Sequence, residues 1–140
     1  MRYYAVLSIR GRQSYQGQDP DVIELVTEGT LEYRDKGWDI VYEESDLTGL
    51  EGVTTTFRVE KDRVVLKRTG KLNSQMVFQE GTSHESLYQM ELGALMMTVT
   101  SRKVTYDLTE NGGTVDLVYS IDIEQTAGGT IDYHLDVNVK

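Results

Sequence analysis

Asn111-Gly112-Gly113-Thr114-Val115-Asp116-Leu117-Val118-Tyr119-Ser120-Ile121-Asp122-Ile123 decides the fold class. Val115, Leu117, Tyr119, Ile121 and Ile123 alternate with polar residues, and Val118 is the one mild exception. Successive side chains of a β-strand point to opposite faces, so this stretch predicts a strand with one dry and one wet side. Asn111-Gly112 in front of it is a hairpin signal, because the pair readily supplies the positive φ angles of a type I′ turn. Behind it, Gly128-Gly129 turns the chain into a last strand with Ile131, Tyr133, Leu135, Val137 and Val139 on its inner face.

The same reading extends back to the start of the chain. Tyr3, Ala5, Leu7 and Ile9 share one face of a first strand. Ile23, Leu25, Leu31 and Tyr33 share a face of a long second one, with Glu24, Glu28 and Glu32 opposite as a solvated row. Gly29 interrupts that strand and marks a bulge or a close backbone approach. Asp35-Lys36-Gly37 turns into a third strand with Trp38, Ile40 and Tyr42 inside. Thr54 to Glu60, a tight Lys61-Asp62 turn, and Arg63 to Thr69 follow the Gly49 to Gly52 loop. Further strands are expected over Met76 to Glu80, Ser86 to Met90, Leu95 to Thr100 and Val104 to Leu108. The best helical segment is a single turn within Glu91 to Leu95. About ten short strands at this spacing suggest a barrel or a sandwich. Short loops favour neighbour-to-neighbour pairing, and closure hides strand edges that little proline protects, so the barrel is preferred.

A chain of 140 residues fits one domain, spanning 1–140, and is long enough to bury a core of its own. No cysteine is present, which excludes disulfides, thiolate metal sites and a cysteine nucleophile. The N-terminal apolar run is too short and interrupted for a signal peptide, and no run reaches the ~18 apolar residues of a membrane helix. A cytoplasmic location is therefore expected. The net charge of −9 argues against nucleic acid and against an anionic membrane surface as partners. The densest bases, Arg58, Lys61, Arg63, Lys67, Arg68 and Lys71, alternate over both faces of a hairpin and read as solvated edges.

Several elements in order resemble the YwiB-like family of uncharacterised bacterial proteins. They are Ile23-Glu24-Leu25-Val26-Thr27-Glu28-Gly29, Tyr42-Glu43-Glu44, Thr48-Gly49-Leu50 with Thr54-Thr55-Thr56, Lys67-Arg68-Thr69-Gly70 and Met76-Val77-Phe78-Gln79-Glu80-Gly81, then Tyr88 and Gly93. One stretch departs: Gln89-Met90-Glu91-Leu92 stands where a Thr-Pro-like element is expected. The resemblance implies an all-β, antiparallel up-and-down β-barrel of the calycin or lipocalin-like kind, with about eight to ten strands. By analogy with lipocalin-type barrels it also implies a small-ligand cavity; it supplies no activity.

Polar residues follow the apolar series inward. Glu44 continues Trp38, Ile40 and Tyr42, and Arg68 continues Val64 and Leu66. A charge on a dry face is costly unless paired, so Arg68 is expected to find Glu44. One role is structural, closing an end of the barrel. The other is recognition: Arg68 with Glu44, Tyr42, Tyr88, Tyr106, Tyr119 and Tyr133 around it would hold the polar or acidic head of a small, partly apolar ligand. His84 lies in an expected loop, Thr82 to Ser86, and adjacent residues on an extended segment point apart, so no triad forms there. Asp132, His134 and Asp136 share a strand face but step by ~7 Å, too widely for one metal ion. No cofactor motif is present and no catalytic residue is assigned. The residues favour a ligand-binding module. The alternatives are an interaction protein working through its outer face as a homodimer, and a hydrolase or isomerase built on His84, Glu44 and Arg68.

Overall fold

In a computed structural model of the chain, residues 2–14, 19–45, 50–90, 93–124 and 126–140 are described, without the side chains of 88–90 and 126–128. Ten strands carry them: β1 (Arg2–Ser14), β2 (Asp21–Arg34), β3 (Gly37–Glu43), β4 (Val53–Glu60), β5 (Arg63–Gly70), β6 (Ser74–Phe78), β7 (Ser83–Met90), β8 (Gly93–Thr109), β9 (Gly112–Ile123) and β10 (Thr126–Val139). All pairings are antiparallel, in the order β6-β5-β4-β3-β2-β1-β10-β9-β8-β7. The result is a meander rolled into a nearly closed barrel. Every neighbour in sequence pairs except β6 and β7, and the circle is joined instead by the first and last strands.

β6 and β7 touch without a ladder between them, so closure leaves a seam and does not hide every edge. Below the seam the connection is tied to β8 instead, continuing the β7–β8 ladder: Gly81 N donates to Ser101 O at 2.9 Å, and Ser101 N to Thr82 O at 3.0 Å.

Alternation sets which side of each strand is dry. β4 is the cleanest case, with Val53, Thr55, Phe57 and Val59 buried and their neighbours half-buried. Leu7, Leu31, Ile40, Phe57, Phe78, Leu117 and Leu135 fill the middle of the barrel. Apolar side chains lie inside and charges, apart from Glu44 and Arg68, mostly outside, the reverse of a barrel that faces lipid. Among the described residues no helix is long and apolar enough to cross a membrane. The outer row of β2 is tied to its neighbours: Glu24 faces Arg10, Glu28 faces Lys140 and Glu32 faces Arg2.

The hairpins fall where expected, with some exchanges of role. Asp35 and Lys36 both take positive φ, 50° and 64°, giving the two-residue turn whose twist suits a hairpin. At the β8–β9 turn the loop is Glu110-Asn111, and the positive φ angles belong to Gly112 and Gly113. A Cβ on either glycine would run into a backbone carbonyl, of Val137 or of Asp107. Gly128-Gly129 is not the turn into the last strand. β10 has already begun at Thr126, and the glycines lie in a register shift between Ala127 and Thr130. The segments Leu95 to Thr100 and Val104 to Leu108 are one strand, β8, continuous through a bulge at Ser101 to Lys103. One extra residue there restores the inward parity from odd to even positions. The expected Thr82 to Ser86 loop is mostly strand, since β7 starts at Ser83. Of the helical segment, 91–92 lie outside the described residues and Gly93 to Leu95 are strand.

Gly29 is a close approach and no bulge, since the β1–β2 register runs through it unbroken. A methyl group there would strike Val41 O and lie 2.8 Å from Leu7 Cδ1 and 3.2 Å from Tyr42 Cβ. The β2–β3 ladder ends one residue later, at Thr30 opposite Val41, so β3 and β2 separate from there on.

Candidate functional site

Where β2 and β3 separate, the barrel is hollow. A cavity of about 350 Å³ opens between the end of β1, the start of β2, the ends of β3 and β5, and the β9–β10 wall. Its apolar side is Ile9, Ile23, Leu25, Leu50 and Ile131, with Ile23 standing 66% exposed at the rim. Its polar side is Tyr42, Glu44, Arg68, Tyr119 and Tyr133. Two aromatic pairs reach across the barrel beside it: Phe57 with Tyr133, centroids 5.6 Å apart, and Phe78 with Tyr119, 4.6 Å apart. The far end of the barrel is different. Trp38 stands edge-on to Tyr33 there, at 4.9 Å, with Tyr3 alongside.

Register assembles the polar side. Tyr42 lies opposite Thr55, Thr55 opposite Arg68, and Arg68 opposite Ser74, so four strands contribute one inward row. Glu44 sits two residues beyond Tyr42 on the same side, with its N–H donating to Val53 O at 2.9 Å. The Thr55 hydroxyl donates to Glu44 Oε2 at 2.5 Å. Arg68 Nε stands 3.9 Å from the same oxygen, inside ion-pair range and beyond hydrogen-bond range. That Nε is buried and has no hydrogen-bond partner among the described residues. A buried donor left unsatisfied is costly, so such groups ask for an explanation.

The tyrosines around it stay protonated. Burial first, then the charge of Glu44, pushes the Tyr42 hydroxyl up, and its hydrogen bond to Glu44 acts in the same direction. Burial pushes Tyr119 up to about 12, against the opposing pull of Arg68. Tyr133 is raised well above the ordinary phenol value, again by burial first. On its inner wall the cavity therefore presents Arg68, Glu44 and three neutral hydroxyls among apolar side chains, with Gln13 and the exposed Asp21 at the rim.

Five of the seven expected residues meet here: Arg68, Glu44, Tyr42, Tyr119 and Tyr133. Tyr106 does not. It keeps the inward parity, opposite Val115, but lies beyond the β8 bulge, outside the cavity lining, and is 38% exposed. Tyr88 lies on β7 opposite Leu95, and its side chain is outside the described residues. Thr55 is the residue sequence reasoning missed; its parity with Phe57 and Val59 was the available sign. His84 lies on β7 and not in a loop, and does not line the cavity. His134 stands between two carboxylates on the outer wall, Nδ1 at 2.5 Å from Asp116 and Nε2 at 3.1 Å from Asp136, so that its protonated ring can donate to both. No group of metal-ligating side chains forms among the described residues.

A larger concavity, about 830 Å³, lies on the outer face of β2 to β5. It suits a ligand less well, because three of its four arginines are already hydrogen-bonded to carboxylates. Arg34 and Arg58 share Asp39 at 2.8 and 3.3 Å, Arg63 holds Glu60 at 2.8 Å, and Arg2 reaches Glu32 at 3.9 Å.

The model of a domain of unknown function, DUF1934, matches residues 7–137. The "Uncharacterized beta-barrel protein YwiB" of Bacillus subtilis is 28% identical over 104 residues, 74% of this chain and 71% of that protein. The crystal structure of the ywiB protein from Bacillus subtilis superposes with a TM-score of 0.89 at 21% identity, covering 99% of this chain and 93% of that one. At that identity the superposition speaks for the fold.

Proposed function

The chain belongs to the DUF1934 family, and on that premise we propose that it is a lipocalin-like binding barrel whose mouth cavity holds a small, partly apolar molecule. The observation that carries this reading is the buried Arg68 Nε, unbonded on the wall of a cavity that the core does not fill. A protein built only to pack would place an aliphatic residue there, since small barrels close readily on their own side chains. Ligand cavities are mostly apolar with a few converging polar groups, and about 350 Å³ falls within their usual range. In this role Arg68 anchors the head of the ligand, Glu44 and the Tyr42 and Tyr133 hydroxyls orient it, and Ile9, Leu25 and Ile131 receive its body.

Native purification followed by mass spectrometry of the denatured protein tests the reading. A stoichiometric small molecule, absent from an Arg68→Gln preparation, is the expected result. A protein that carries nothing and gains no thermal stability from any member of a small-molecule library would refute it. The cytoplasmic setting belongs to the same proposal: a chain without cysteine needs no oxidising compartment. Fractionation of cells expressing the tagged chain checks it.

A second reading, a homodimer that acts through its outer face, draws on Tyr4 and Val26, 73% and 69% exposed on β1 and β2. Sedimentation separates the two, since a monomer that binds small molecules needs no such face.

A further inference from the structure

Resting on the reading of the cavity as a ligand site, we propose that its occupant has a neutral head with a hydrogen-bond donor beside an acceptor, carried on a flat apolar body. An amide, a lactam or the edge of a nitrogen heterocycle has that chemistry; a free carboxylate does not.

The argument starts from charge. Arg68 alone would suit a carboxylate, because its planar fork binds one well. Arg68 is not alone, however: Glu44 Oε2 stands 3.9 Å from its Nε, and the Glu44 side chain is almost fully buried. The inner charges of the cavity are therefore already matched, Arg68 against Glu44, while the carboxylate of Asp21 stands exposed at the rim. An anionic head on Arg68 would set a second buried negative charge beside Glu44 with a single cation between them, and buried like charges without full compensation are unfavourable. A cationic head on Glu44 would crowd Arg68 in the same way.

A neutral head meets both partners. The unbonded Nε–H of Arg68 requires an acceptor. Glu44 accepts from Thr55 and Tyr42, and a carboxylate, with about four acceptor positions, can take a ligand N–H beside them or in exchange for one of them. A carbonyl toward Arg68 with an N–H toward Glu44 bridges a gap that is too long for the two side chains to close directly. The body follows from the walls. Tyr42, Tyr119 and Tyr133 line it as aromatic side chains with protonated hydroxyls, while Ile9, Leu25 and Ile131 are aliphatic. Flat rings pack well in such a slot.

Three probes on one body test the head: naphthalene-2-carboxamide, naphthalene-2-carboxylate and headless 2-methylnaphthalene, titrated into the full chain and followed by calorimetry. The carboxamide is expected to bind about tenfold more tightly than the carboxylate, as a mismatched buried charge or unpaired donor implies. Glu44→Gln removes the competing charge and is expected to reverse that order. Arg68→Gln is expected to lower the carboxamide to the level of the headless probe, and Arg68→Lys, which keeps the charge but not the Nε–H, to do the same. Wild-type protein that prefers the carboxylate, or Arg68→Lys that retains the amide preference, overturns the neutral head while leaving the cavity as a binding site. Failure of all three probes, the headless one included, defeats the cavity reading itself and this proposal with it.

Discussion

The same strands carry two arginine–carboxylate arrangements, one on each face. On the outer face Asp39 is 6% exposed and held from two sides: Arg34 donates Nε at 3.0 Å and Nη2 at 2.8 Å, and Arg58 donates Nη1 at 3.3 Å. Arg58 is itself anchored, with Nη2 on Asp35 O at 2.9 Å. On the inner face Glu44 is equally buried, but its guanidinium stays 3.9 Å away with Nε unbonded. Chemistry is shared; completion is not. An arrangement that is closed on itself ties β2, β3 and β4 together. One left open next to a cavity keeps binding capacity in reserve, at some cost in stability. On the proposed reading of the cavity, this difference, more than burial, is what would separate a structural ion pair from a recognition pair.

The sharpest break lies in the wall shared by both. Gly29→Ala would drive a methyl into Val41 O and Leu7, displacing β3 just where it leaves β2. A loss of about 3 kcal/mol, read by chemical denaturation, is expected from such overpacking. Next comes the closed arrangement: Asp39→Ala strands two arginines and should cost about 2 kcal/mol, less than a fully buried pair because Arg34 is exposed and rehydrates. Small-molecule binding should survive it. Arg68→Gln is expected to abolish retention of the ligand, with a stability cost that comes from leaving the buried Glu44 without its counter-charge, since no hydrogen bond of Nε is lost. If Asp39→Ala and Arg68→Gln changed stability and binding alike, the distinction between the two faces would be gone.

The smallest effect concerns a third arrangement on the far wall. The hydrogen bond to Asp116, then the charges of Asp116 and Asp136, raise the His134 pKa from its ordinary 6.5. The folded state therefore holds that proton more tightly than the unfolded chain. This stabilisation is complete below the ordinary value and is lost as pH rises through the higher folded value. Melting curves of wild type and His134→Gln should thus converge toward pH 8.5 and differ by roughly 1–2 °C near pH 5.5, the modest size of a half-exposed pair.

How much of this was legible in the sequence depends on what each residue needed. Parity alone puts Tyr42, Glu44, Arg68, Tyr119 and Tyr133 inside, because alternation is a property of one strand. Position along the barrel axis is a property of register between strands, and there parity is silent. Tyr106 shares the inward side with Val104 and Leu108 and still ends outside the cavity. The expected Arg68–Glu44 pairing has the right partners, but its 3.9 Å gap depends on side-chain reach across β4. Asp39 lies between Trp38 and Ile40, and its burial comes from two arginines on other strands or turns, which local pattern does not reveal. The bulges at Ser101 and at Gly128-Gly129 were hidden for a related reason, since a strand that gains one residue looks in sequence like two strands or a turn.

The joint between the first and last strands has a consequence for how the barrel comes into being. Ala5 pairs with Val139, and Lys140 N donates to Tyr4 O at 2.9 Å, so β1 and β10 meet in mid-sheet while the seam falls at Gln79 to Thr82. During synthesis β1 waits for its second partner until β10 has been made, and contacts of such sequence separation form slowly. Two half-sheets must therefore persist with one bare edge each, and the last strand acts as a zip fastener. A circularly permuted chain, cut at the seam and joined across the old termini, would turn that final step into an ordinary hairpin and relieve the wait.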